Sequence, residues 1–306
     1  MKRNLLFLFL FPCIIAFGQN KLVGLSGDYT YVPIHRFEAG MEFFLPLNQS
    51  KGSQMYDFFL QKDADENGFH KTELIYDEYA GKKFTLLKVD ERQGIGGLRT
   101  FFVFQVEGQE ELVEYRVMMG KSALEALERK GIGQIKYLIA QKDVQEAQEL
   151  VGKTVYIKEF GFKKYGEQGA TKSVHPLHKK FFAAEVIKVE EGVSLAPVRI
   201  VFEMPDKSLA YHDVVMSGTN IDPSFSQEGA FDKFISFDNP KIAFEGSEII
   251  WSLICSGKIA TSMTKEQVKL TWGEPLGVIK DGDREQWEFH GNSYVVFKNN
   301  KVVEIR

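Results

Sequence analysis

The chain has 306 residues, 44% of them hydrophobic, and a net charge of −4 from 38 basic and 42 acidic side chains. That length and apolar share are enough for two or more domains, each held by its own core. The two signs of charge are interspersed, so no global field recruits nucleic acid or an anionic membrane.

In chain order, Lys2 and Arg3 precede the apolar run LLFLFLFPCIIAF, which ends at Ala16-Phe17-Gly18 with small residues where a signal peptidase reads. The run is shorter than the roughly 20 apolar residues of a spanning helix, and Pro12 interrupts it. Residues 1–18 are therefore expected to be a secretory signal peptide, with no transmembrane segment after its removal. Cys13 does not mark a lipoprotein, because Pro12 stands where a small residue is required. Cleavage leaves Cys255 as the one cysteine, which excludes an intrachain disulfide.

Three strand starts look alike: EAGMEFFL, EYAGKKFTL and ELVGKTVYI, anchored at Gly40, Gly81 and Gly152. A glycine that opens a strand supplies a backbone conformation barred to other residues, so one turn is expected to be built three times. Alternating apolar runs follow the second and third anchors. They predict small antiparallel β units in series, SH3-like or barrel-like in size. The abundance of Phe, 26 against 3 Trp, reads as core material for these strands. Within the first unit, Asp63, Asp65 and Asn67 precede Gly68 with the oxygen spacing of a calcium loop. Leu74, however, stands where the closing carboxylate belongs, so a solvated acidic turn competes with calcium.

Gly120-Lys121-Ser122 lies between a strand and a helix but lacks the first glycine of a phosphate loop, leaving Ser122 as a helix cap. A second helix is expected after 142, with Asp143 as its cap and Glu146 as the box partner. Between the two, IGQIKYLIA looks buried. Farther on, a basic, aromatic-studded loop at 158–182 carries Lys163, Lys164, His175, His178, Lys179 and Lys180. It offers a binding surface for headgroups, acidic polysaccharide or a partner's carboxylates, against the plainer reading of a solvated hairpin. Two imidazoles without further ligands do not define a zinc site. His212 and Asp213 are neighbours on a strand and point to opposite faces, so they form no dyad. Residues 219–241 read as a packed linker.

The clearest local signals lie at 263–305. Thr264 caps a helix with Gln267 as its box partner, Met263 staples onto Val268, and Gly273 with Pro275 ends the helix. EQWEF, SYVVF and VVEI then read as a three-stranded meander with Trp287 on its buried face. The run from Met263 to Val268, the Gly273-x-Pro275 stop, Trp287-x-Phe289 and the closing hairpin resemble the BamE-like (SmpA/OmlA) domain of bacterial envelope lipoproteins. The family usually carries Gly where this chain has Ser262, and its domain usually follows a lipidated cysteine closely. The resemblance implies an α+β fold, a periplasmic or outer-membrane-associated location and an envelope partner; its motifs are structural and name no catalytic residue.

The expected architecture is mainly β with an α+β C-terminal domain: signal peptide 1–18, N-terminal β units 19–121, helical connector and second β domain 122–240, BamE-like domain 241–306. The expected function is a non-catalytic binding or scaffold role in the envelope, with a protein or envelope component as partner and no cofactor beyond the calcium option. The alternative is a hydrolase or carbohydrate-active enzyme whose site is dispersed over several strands.

Overall fold

Strand alternation and turn chemistry build three antiparallel sheets in succession. The computed structural model describes residues 29–46, 59–61, 76–94, 96–128, 134–166, 169–175, 179–221 and 229–306; the expected signal peptide, Asp63, Asp65, Asn67 and His178 lie outside them. The first sheet contains β1 (Glu42–Phe44), β2 (Phe59–Gln61), β3 (Lys83–Gly94), β4 (Gly97–Val106), β5 (Leu112–Val117) and β6 (Ile139–Ala140), in the order β2-β5-β4-β3-β1-β6. A short helix α1 (Tyr76–Tyr79) precedes β3, and α2 (Lys121–Glu128) follows β5. Phe43, Phe84, Phe102 and Phe104 fill its core, with Phe43 and Phe104 meeting edge to face at 5.7 Å. Fully burying one such ring contributes about 1.5–3 kcal/mol.

The connector gives its last residues to that sheet, where Ile139 and Ala140 pair with β1. It then turns directly into α3 (Gln141–Ala147), which packs on the second sheet. This sheet comprises β7 (Thr154–Ile157), β8 (Lys163–Gly166), β9 (Gly169–Val174), β10 (Ala183–Val193), β11 (Ala196–Glu203), β12 (Leu209–Val214) and, after α4 (Phe231–Phe234), β13 (Ile235–Ser236). Its order is β13-β7-β10-β11-β12-β8-β9. Part of the expected linker thus supplies an edge strand, with Phe231 buried beside it.

The two sheets repeat one plan. Gly40 donates to Leu86 O and Leu86 donates back to Met41 O; Gly152 donates to Val186 O and Val186 to Lys153 O. Both glycines have positive φ, 93° and 80°. Leu86 faces Phe104 before a bulge, and Val186 faces Phe202 before the matching bulge. A bulge inserts one residue and breaks the alternation, which is why Leu87-Lys88 and Ile187-Lys188 both point outward in pairs. The anchors correct the expected threefold repeat to two copies. Gly81 makes a different turn, donating to Leu45 O, and its counterpart is Phe181, which donates to Ile157 O with φ of 58°. Among the described residues both sheets are open rather than barrel-like.

The C-terminal module consists of α5 (Glu248–Cys255), α6 (Lys265–Trp272) and a four-stranded meander of β14 (Gly277–Asp281), β15 (Arg284–Phe289), β16 (Ser293–Lys298) and β17 (Lys301–Ile305). The expected meander had three strands. β14 escapes a periodicity reading because its residues from Val278 onward are exposed and do not alternate. Trp287, Phe297, Val268 and Met263 are buried together. The capping box is complete: Gln267 N–H donates to Thr264 Oγ1, and Thr264 N–H donates to Gln267 Oε1. Gly273 ends the helix with φ of 87°.

Two other expected caps are corrected. The first helical N–H of α2, that of Lys121, is accepted by the Glu91 carboxylate at 2.7 Å, so Ser122 is not the cap. Asp143 sits inside the first turn of α3, which Ala140 caps without a side-chain bond.

Ser262 has a φ of 73° immediately before the capping box. Ser262→Gly is expected to stabilise the module by up to about 1 kcal/mol by relieving that strain. Thr264→Ala is expected to cost about 1 kcal/mol. Opposite shifts in denaturant midpoint check both; shifts of the same sign would contradict this account of the helix start.

Candidate functional site

Lys163 and Lys164 lie exposed on β8, and Lys163 stands 5.7 Å from the Tyr211 ring. The structure does not gather the other basic-loop residues around them. His175 is 3% exposed, beside Phe162, and bonds Ser208 Oγ through Nε2 at 2.7 Å. Lys179 is exposed. Lys180, expected at a binding surface, is 6% exposed and donates to Thr271 O at the end of α6 at 3.0 Å. Its backbone N–H donates to Cys255 O, and the neighbouring Phe181 ring stacks on Trp251. Burial pushes the Lys180 ammonium below its ordinary range, with Glu159 at 3.7 Å opposing that shift. The residue therefore joins the second sheet to the C-terminal module. A lysine run looks solvated until another element covers part of it. Part of the presumed loop is the β8–β9 hairpin, which continues the sheet beyond β12.

Asp206, Ser208 and His175 form a chain that resembles hydrolytic machinery in composition only. Ser208 Oγ donates to Asp206, whose hydrogen bonds from Ser208 hold its carboxyl below the usual carboxylate range. The hydroxyl proton is thereby committed to the carboxylate, and His175 must present Nε2–H to the oxygen. A nucleophilic serine needs the reverse, an imidazole lone pair accepting its proton.

His212 points to the inner face while Asp213 holds Arg199 on the outer one. The His212 ring lies 3.9 Å from that of Phe234 and lines a cavity of about 10 Å³, room for about one water. Burial, then the charge of Lys163, pushes it down to about 4. Cys255, partly buried, has its thiol pushed up by burial. Among the described residues no group of three His, Cys, Asp or Glu side chains is placed to hold a metal ion.

Each of the two repeated sheets carries a charged ladder on its outer face. Arg92 forks onto Glu114 at 2.8 and 3.0 Å over the Phe101 ring, with Asp90 and Lys88 beside it. In the second copy, Arg199 forks onto Asp213 over Tyr211, and Lys188 pairs with Glu190 and Tyr165. These bonds are made within the protein and leave little unspent for a ligand.

Between the two sheets lies a buried polar cluster. Asp143 Oδ2 accepts from both the N–H and the hydroxyl of Ser217 at 2.8 Å. Ser217 in turn bonds Thr219, whose hydroxyl accepts from Val32 N–H. Asn220 donates to the carbonyls of Ile135 and Leu138 and accepts from Ile135 N–H. Asp143 Oδ1 has no hydrogen-bond partner, and burial pushes this carboxyl up to about 6. A cavity of about 460 Å³ opens nearby, lined by Tyr29, Glu146, Glu149, Leu150, Lys153, Met216 and Phe237. No spacing in the sequence brings Tyr29 and Phe237 together; only the fold does.

Asp143 and His212 give opposed pH dependences. Asp143 has a folded pKa of about 6, above its ordinary 3.8. Its contribution to stability is complete below 3.8 and lost as the pH rises through about 6. His212, at about 4 against an ordinary 6.5, contributes fully above 6.5 and loses that contribution as the pH falls through about 4. Each is worth about 3 kcal/mol across its window. Relative to the unsubstituted chain, Asp143→Asn should gain stability from pH 4 to pH 7 and His212→Phe from pH 7 to pH 4, by about these amounts. Stability differences that ignore pH would overturn both assignments. Separately, Lys180→Met should cost about 1–3 kcal/mol by leaving Thr271 O without its donor, while Lys179→Met should stay within about 0.5 kcal/mol. Urea titrations of the two variants check this.

No family model matches the chain, and no curated protein or solved structure matches it.

Proposed function

We propose that the protein is an exported component of the bacterial cell envelope with a non-catalytic binding or scaffold role, its C-terminal module being BamE-like. The observation that carries this reading is the free edge of that module. Leu276, Val278 and Ile279, on and just before edge strand β14, are 59, 46 and 63% exposed. Natural edge strands are usually blunted by charge, proline or a bulge, since an apolar edge invites another strand to pair. Here Pro275 precedes the edge and Lys280 and Asp281 guard its far end, leaving Val278 and Ile279 apolar and exposed between them. The geometry suits an extended partner segment added to β14, with main-chain bonds giving affinity and alternate apolar side chains giving register.

The apolar leader after Lys2 and Arg3 supports export, and the helix-and-meander of residues 263–305 supports the family reading. Among the described residues no helix is long and apolar enough to cross a membrane.

The experiment is cross-linking in cells, with the chain tagged after Arg306, followed by envelope fractionation. Recovery in the envelope with a cross-linked partner is expected, and Val278→Lys with Ile279→Lys should abolish the cross-link without lowering the melting temperature, since both side chains are exposed. Recovery in the cytosol, or a cross-link indifferent to the two lysines, would refute the reading.

A further inference from the structure

The cavity of about 460 Å³ between α3, the 148–153 turn and the end of β13 falls within the range of small-molecule sites. Its floor is fixed: Leu150 and Met216 are buried members of the second core. Its aromatic walls are Tyr29 and Phe237. Phe237 leaves 46% of its surface exposed while its ring leans on Phe231 at 5.6 Å. At the mouth, Glu146 is paired with Lys142 at 2.9 Å. Glu149 and Lys153 are exposed and form no ion pair among the described residues. Lys153 sits on pinned backbone, since it donates to Leu150 O and accepts from Val186 N–H around the left-handed Gly152, and Glu149 lies in the 3-10 turn Gln148–Leu150 just before it.

The duplication supplies an internal comparison. In the first copy, Met41 follows the turn glycine Gly40 where the second copy has Lys153 after Gly152, and Met41 packs against the first core while Lys153 is exposed. One copy of the turn is closed by an apolar side chain. The other carries two opposite, uncompensated charges beside an open cavity with aromatic walls. Neither side chain makes a hydrogen bond or ion pair among the described residues.

We infer that this cavity binds a short apolar peptide with free termini. Its ammonium meets Glu149, its carboxylate meets Lys153, and an apolar side chain enters between Tyr29 and Phe237 over Met216. The inference goes beyond the partner-binding role of the β14 edge and uses a different surface.

The test is calorimetric titration of the purified full chain with the dipeptide phenylalanyl-leucine, its N-acetyl form and its C-terminal amide. The free dipeptide should bind. Acetylation should weaken binding roughly tenfold in the unsubstituted chain and have no effect in Glu149→Gln; amidation should do the same with Lys153→Gln. Phe237→Ala should weaken all three ligands alike. Because Glu149 and Lys153 are exposed, unchanged melting temperatures will show that the two charge variants fold. Absence of binding by the free dipeptide at millimolar concentration would overturn the inference, as would capping effects that persist undiminished in both charge variants. Neither result touches the cross-link at β14, so the two readings fail separately.

Discussion

The contact on which the arrangement of the two repeated sheets depends is the bond between Asp143 and Ser217. A carboxylate removed from water, with one oxygen left without a partner, costs free energy that its two hydrogen bonds only partly offset. What it secures is the loop after β12. With Ser217 held, Thr219 meets Val32 and Asn220 meets Ile135 and Leu138, so one loop of the second copy satisfies backbone groups that belong to the first. Buried backbone N–H and C=O groups must find partners somewhere. Here they find them across the junction, and the two cores are fixed relative to each other by polar bonds.

The second junction works differently. Lys180 reaches Thr271 at the C-terminal end of α6, where unpaired carbonyls and the helix dipole favour a cation. Phe181, beside it, adopts a positive φ and stacks on Trp251. The corresponding turn of the first copy has Gly81. The strain tolerated at Phe181 therefore has a local reason: an aromatic ring is needed where the C-terminal module docks, and glycine cannot provide one.

Signals confined to a few neighbouring residues were legible in the sequence. The Thr264–Gln267 box, the Gly273 stop and the left-handed glycines at 40, 81 and 152 each follow from chemistry within a turn or two. Asp143 and Lys180 are not legible from their own segments, a helix start and a charged run, because their roles are set by Ser217 and Thr271, 74 and 91 residues away. The glycines mark the repeat but not its register, since Gly81 makes a different turn from Gly40 and Gly152. A better signal lay in LLKVDE at 86–91 and VIKVEE at 186–191, where two apolar residues before Lys-Val mark the bulge in each copy. Nothing local marks the 460 Å³ cavity, whose aromatic walls come from Tyr29, ahead of the first sheet, and Phe237, after the last strand of the second.

Divergence between the copies also separates residues kept for folding from residues free to do something else. The outer-face ladders persist as a type although their arginines have changed strands, from Arg92 on β3 to Arg199 on β11. Gly192 holds the place of Arg92, and a Cβ there would run into the carbonyl of Ala196. The exchange therefore required the guanidinium to come from the neighbouring strand, where Asp213 and Tyr211 now receive it. A ladder rebuilt so completely is a structural requirement of an open sheet, which must keep its second face soluble and rigid. Met41 has no apolar counterpart in the second copy, where Lys153 follows Gly152 with its side chain exposed and in no ion pair among the described residues. Where a side chain that packs on the core in one copy is replaced by an exposed charge in the other, the position changes at little cost to stability.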